Sequence, residues 1–205
     1  MEIEELQTAL DDILPWRREE LTRAKFLANN AIALEDKNYL CRAWIVLMYA
    51  HCDKFLKEST ELYLQYLQSA NDTNYRADLL WLLIKGKTIF QEDKENKKYK
   101  SFNDYLTFQD TTIFADIIDY SQSSENFNYF RLRALCDWIM QIKYDHDKYR
   151  GFCDKLVKAR NKIAHGEKLH SNSLEYCDIL HHDTMEFMSS LADKIIESAI
   201  MYSRL

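Results

Sequence analysis

Three glycines and one proline are all that 205 residues contain, and this scarcity constrains the fold more than any other feature. Hairpins and tight turns draw on glycine for positive φ and on proline for a fixed φ. A β-sandwich or barrel of this length needs many more of both. A chain so poor in turn chemistry must run in long helices with few connections, so the expected fold class is all-α. Its hydrophobic share of 47% can fill a core, and this excludes disorder as a global description. A single domain over 1–205 suits the length, whereas two would be cramped.

The spacing of apolar residues places the helices. Leu6, Leu10, Ile13, Leu21, Phe26 and Leu27 predict a helical stretch over 3–33, with Pro15 breaking it, kinking it or opening its second part. Trp44, Met48, His51, Phe55, Leu62 and Tyr66 form one stripe of a longer helix over 39–69. A third helix is expected over 76–90. The charged run 91–100 reads as an exposed connection, followed by a short helix over 113–120 and a polar break at 121–126. Further helices are expected over 129–142 (with Phe130, Leu135 and Trp138), over 148–165, and over 174–203. There is no internal repeat. The architecture this predicts is a bundle of four to five main helices with a short extra helix.

Five cysteines (Cys41, Cys52, Cys136, Cys153, Cys177) lack C-x-x-C spacing, which suits reduced thiols in a cytoplasmic protein. No N-terminal signal pattern and no apolar run of transmembrane length is read, so no membrane association is expected. The net charge of −6 argues against a protein that coats nucleic acid non-specifically. Yet residues 147–168 carry seven cations against three anions, a net +4 that leaves −10 on the rest of the chain.

That basic segment contains Arg160-Asn161-Lys162-Ile163-Ala164-His165-Gly166. At about 100° per residue, Phe152, Leu156, Ala159 and Ile163 fall on one core stripe. Asn161 and His165 are i, i+4 neighbours on a different face. Arg160 shares a third face with Val157 and Ala164, a small and partly apolar strip able to pack against another chain. Gly166 is a natural left-handed terminator, and a histidine among unpaired carbonyls at a helix end is suited to acid/base work. Arg160 offers a planar fork of donors for a phosphate oxygen. Asn161 can orient the imidazole or a ribose. Together these groups can cleave a phosphodiester without a metal.

The motif resembles the R-x4-6-H signature of HEPN domains, with a polar residue directly after the arginine. The surrounding L-V-K-A-R-N-K-I-A-H-G-E and the segment from Tyr49 to Lys57 resemble a prokaryotic HEPN subgroup linked to toxin–antitoxin and phage-defence loci. The resemblance implies a homodimer whose two motifs form one composite endoribonuclease site acting on RNA. There His165 would be the acid/base, Arg160 the electrostatic stabiliser and Asn161 a support. It also implies a companion antitoxin or defence protein. HEPN toxins silenced by a nucleotidyltransferase carry tyrosine two positions after the motif histidine; Glu167 stands there in this chain, so that form of control is not expected.

Each feature also has a plainer reading. The motif can be an exposed helix end with a capping histidine, on a catalytically inactive HEPN-type binding or dimerisation module, or on an unrelated helical adaptor. Lys158 and Lys162 are candidate substrate contacts. His51 is either a hydrogen-bonded core histidine or a third contact, set against the motif helix near Arg160 or RNA. Cys177, Asp178, His181, His182 and Glu186 have helical ligand spacing, but no second cluster completes a site, so neither metal nor cofactor is expected. Met185, Met188 and Met201 read as core filler.

Overall fold

Pro15 divides the N-terminal stretch by opening a new helix. α1 (Ile3–Ile13) stops before it, and α2 (Pro15–Asn30) has Pro15 in its first turn, where the missing N–H costs no intrahelical bond. The computed structural model describes residues 1–70, 118, 121–122, 126–167 and 174–202. The helix expected over 76–90 and the connection over 91–100 lie outside these residues, as does most of 113–126.

α3 (Leu34–Ala70) begins five residues earlier than the 39 expected, with Glu35 and Asp36 placed in its first turn against the positive end of the helix dipole. Its 37 residues make a rod about 55 Å long, and α1 and α2 pack along it. The predicted stripe is buried at Trp44, Met48, His51, Phe55 and Tyr66; Leu62 is only partly so, and Tyr63 takes the core position instead. In the N-terminal pair, Leu6, Leu10 and Leu21 are buried, whereas Phe26 and Leu27 face outward.

The helix expected over 129–142 departs from plan. A five-residue α-helix, α4 (Tyr129–Arg133), passes into a π-helical stretch, Ala134–Met140, which ends at Gln141 in the left-handed region (φ 54°). The wider i→i+5 turn shifts the phase of the side chains. Of the three large side chains that mark this helix in the sequence, Leu135 is in the core with Cys136, Ile139 and Met140, whereas Phe130 and Trp138 are exposed.

A 3₁₀ turn (His146–Tyr149) leads into α5 (Arg150–Ala164), and α6 (Leu174–Tyr202) closes the described chain. α5 is set by an aromatic cluster. Phe187 of α6 lies 5.6 Å from Phe127, 6.1 Å from Phe152 and 5.7 Å from Tyr149, ring centre to ring centre. Met188 is buried and Met185 packs at the core edge, but Met201 is exposed, contrary to expectation. No strand occurs among the described residues. The architecture is an all-α bundle of five main helices with the short α4, and no described helix is long and apolar enough to cross a membrane.

Candidate active site

α5 presents the motif because its apolar stripe fixes its rotation. Phe152, Leu156 and Ala159 are buried, and Ile163 is partly so. That orientation leaves Lys158, Asn161 and His165 exposed, with Lys162 and Arg160 half-buried. The helix ends one residue sooner than expected, so His165 is its C-cap rather than its last helical residue. Beyond it Gly166 takes φ +74°. The Gly166 N–H donates to the Ile163 carbonyl at 3.1 Å and the Glu167 N–H to the Lys162 carbonyl at 2.9 Å. This is a Schellman end, which a left-handed glycine makes inexpensive. The Glu167 carbonyl then accepts from Arg42 Nη1 of α3 at 2.8 Å, tying the end of α5 to its neighbour.

A shallow open hollow of about 400 Å³ lies along this end of α5, lined by Asn128, Asp154, Val157, Lys158, Asn161, Lys162, His165 and Glu167. It gathers four of the six residues the sequence singles out: Asn161, His165, Lys158 and Lys162. Among the described residues the His165 imidazole makes no hydrogen bond, so both ring nitrogens are available. The charge around it is mixed, since Asp154 and Glu167 line the hollow beside the two lysines. Two further cations of the basic segment are engaged elsewhere: Lys148 pairs with Glu186 at 2.5 Å, and Arg150 lies over the Tyr129 ring. Lys168 lies outside the described residues.

Arg160 is placed differently. Its guanidinium carbon sits 4.7 Å over the centre of the Tyr49 ring of α3, and its Nη1 donates to Asn161 Oδ1 at 3.1 Å. Asn161 thus bridges the arginine and the hollow. Tyr49 is itself buried, its hydroxyl donating to the Phe127 carbonyl at 3.4 Å. Burial pushes that hydroxyl's pKa up, and the nearby Arg160 charge pulls in the opposite direction. Sequence reasoning missed Tyr49 as part of the site, although its segment had been picked out.

His51 lies elsewhere. Two residues beyond Tyr49, it faces α2 instead of α5. Its Nε2 sits 2.6 Å from the Glu20 carboxylate, and its ring meets Trp16 edge-on at 5.3 Å. It is 6% exposed, and burial lowers its pKa against the opposing pull of Glu20. The structure therefore does not bring His51 to Arg160 or to the hollow. Of its two readings, the hydrogen-bonded core histidine matches this placement.

The two cysteines nearest in sequence to these elements are not available for chemistry. Cys52 and Cys153 are fully buried, and desolvation raises the Cys153 thiol to about 12 and Cys52 well above its ordinary value, so neither is a nucleophile at neutral pH. All five cysteines are free thiols. On α6, Asp178 pairs with Lys25 at 2.8 Å and His181 packs against Trp44. His182, Asp183 and Glu186 do bring ligand atoms within 4.8 Å of one another, but Lys148 occupies the Glu186 carboxylate and His182 is exposed.

No curated protein and no solved structure matches the chain. A family model described as MAE_28990-like HEPN matches residues 6–203, nearly the whole length. An all-α bundle with Arg160 and His165 at the end of one helix agrees with that match, and the chain belongs to this HEPN family.

Proposed function

We propose that this HEPN domain is an endoribonuclease that cleaves RNA without a metal, at a site completed by a second copy of the chain. One observation carries the reading: Asn161 holds the Arg160 guanidinium on one side and shares an open hollow with His165 on the other. In the reaction, the ribose 2′-oxygen attacks the adjacent phosphorus as its proton leaves to a base. The bond from phosphorus to the 5′-oxygen breaks, and that oxygen takes a proton, leaving a 2′,3′-cyclic phosphate and a 5′-hydroxyl. His165, whose ring nitrogens make no hydrogen bond among the described residues, performs the proton transfer; Arg160 balances the charge that builds on the phosphate; Lys158 and Lys162 hold the flanking backbone. A shallow hollow of this size admits unpaired nucleotides more readily than a duplex, so single-stranded or loop RNA is the substrate class.

Dimerisation is supported by the surface beside the motif. Tyr39, Arg42 and Val46 step along one side of α3 at helical spacing, and Tyr39 is 71% exposed and Val46 40%. Ala164 of α5 is also exposed. Two such strips meeting would bring both motifs to one cleft. The setting we infer is a cytoplasmic toxin or defence effector restrained by a companion protein. A second reading, an RNA-binding or dimerisation module without catalysis, draws on the fact that Arg160 does not itself line the hollow.

The test is cleavage of a fluorescent single-stranded RNA in EDTA by wild type and by identically prepared His165→Ala and Arg160→Ala proteins. The nuclease reading expects cyclic-phosphate ends from the wild type alone. RNA binding without any cleavage at high protein concentration favours the module.

A further inference from the structure

We propose that Tyr49 is a positioning residue for Arg160: its ring is the platform that holds the motif guanidinium beside the hollow and ready for phosphate. The inference rests on the site proposed above, and it adds a residue from a different helix. Arginine has a long side chain that loses much rotamer freedom when fixed, so an exposed one on a helix surface is poorly placed to meet a phosphate at a set point. Here two contacts restrict it. The ring of Tyr49 lies beneath the guanidinium at 4.7 Å, and Asn161 Oδ1 takes one N–H at 3.1 Å. A contact over a ring face uses the attraction between charge and ring quadrupole and consumes none of the five N–H donors. Those donors therefore remain for Asn161 and for a phosphate.

The platform is itself fixed. Tyr49 is 6% exposed, its hydroxyl donates to the Phe127 carbonyl, and its ring meets the Phe127 ring edge-on at 6.1 Å. Phe127 is fully buried and in turn packs on Phe152 of α5 and Phe187 of α6. The cluster that sets the rotation of α5 thus also sets the ring under its arginine. Neighbouring charges do not compete for Arg160: among the described residues no carboxylate pairs with it. A carboxylate partner would occupy the donors a phosphate needs; an aromatic one does not.

The test measures binding of a non-cleavable 2′-deoxy oligonucleotide alongside single-turnover cleavage of the matching RNA. The proteins are Tyr49→Phe, Tyr49→Leu, Arg160→Ala and Tyr49→Leu/Arg160→Ala, with folding followed by circular dichroism and thermal melting. Tyr49→Phe keeps the ring and stays within about twofold of wild type in both assays. Tyr49→Leu weakens binding roughly five- to thirtyfold, the size of a lost cation–π contact, and has no further effect once Arg160 is alanine. Equal losses from Tyr49→Leu in the presence and absence of Arg160 overturn the proposal, as does a gain in activity, which would mean that the ring sequesters the arginine. If Tyr49→Leu does not fold, fluorinated phenylalanines at position 49 replace it. They weaken the ring's quadrupole while nearly keeping its shape, so affinity should fall stepwise with fluorine count, and a flat series overturns the proposal. A wild type that binds but does not cleave, with Tyr49 and Arg160 still coupled, removes the nuclease reading and leaves the platform standing. A wild type that binds nothing removes both.

Discussion

Two histidines in this molecule show how differently the same side chain can be placed. His51 sits midway along α3, closed in by α2, with Glu20 on its Nε2 and Trp16 against its ring. His165 stands past the last turn of α5, exposed, with no hydrogen-bond partner for its imidazole among the described residues. Burial sets the difference. A histidine inside a helix pair must be satisfied by its neighbours, because an unpaired buried polar group is costly. A histidine at a helix end can leave both nitrogens to water and to a ligand. Enclosed imidazoles therefore contribute to stability, the open one is the group assigned to chemistry in the proposed function, and the following predictions test that division.

The largest effect is expected at the open site. His165→Ala should lower RNA cleavage by about 10²–10⁴ while leaving the unfolding midpoint unchanged, read by single-turnover kinetics beside calorimetry. Loss of activity through unfolding alone would blur the comparison.

Acid comes next, and it should act on the enclosed histidines. Burial, with help from Lys25, lowers His181 to about 4, and burial also lowers His51. Because the folded pKa lies below the unfolded one, the unfolded chain takes up the proton first as pH falls. The stability these groups provide is complete above about pH 6.5 and is lost as pH drops through the window down to the folded value. From His181 the loss is at most about 3 kcal/mol. The upper part of this window belongs to histidine, since Asp147 and Glu186 are held below the usual carboxylate range. Urea midpoints that stay constant between pH 7 and pH 5 would contradict the prediction.

His51→Ala should cost about 2 kcal/mol by leaving a gap beside Trp16 and removing the bond to Glu20. In a chain of this size that is a drop of roughly 4–8 °C in unfolding midpoint. Specific activity at 20 °C should hold, and an activity loss like that of His165→Ala would restore His51 to the site.

Gly166→Ala is the smallest change. There is room for a Cβ, but the backbone is left-handed at φ +74°. The cost should be about 1 kcal/mol, seen in thermal melts, with a modest fall in cleavage as His165 loses its fixed cap.

Much of this was legible in the sequence because helical spacing encodes burial. The stripe Trp44, Met48, His51, Phe55 and the stripe Phe152, Leu156, Ala159 both predict what is buried, and Pro15 marks a helix start. The rotation of α5 follows from its own stripe, so the exposure of Asn161 and His165 does as well. Relations between helices were not legible. Spacing says that Tyr49 and His51 point to different sides of α3, but not which side meets α5 and which meets α2. The π-helical stretch was hidden as well: nothing in the sequence of Ala134–Met140 distinguishes it from an α-helix, and Trp138 lies exposed within it.

The closure of α5 has one more consequence. Helix ends ordinarily fray, and their last amides exchange with solvent almost freely. Here the Gly166 and Glu167 amides are both bonded back into the helix, and Arg42 clasps the next carbonyl from the neighbouring rod. Deuterium should therefore enter these two positions slowly, at rates closer to those of the helix middle. The His165 imidazole beside them is then carried on a firm mount while its own ring stays exposed.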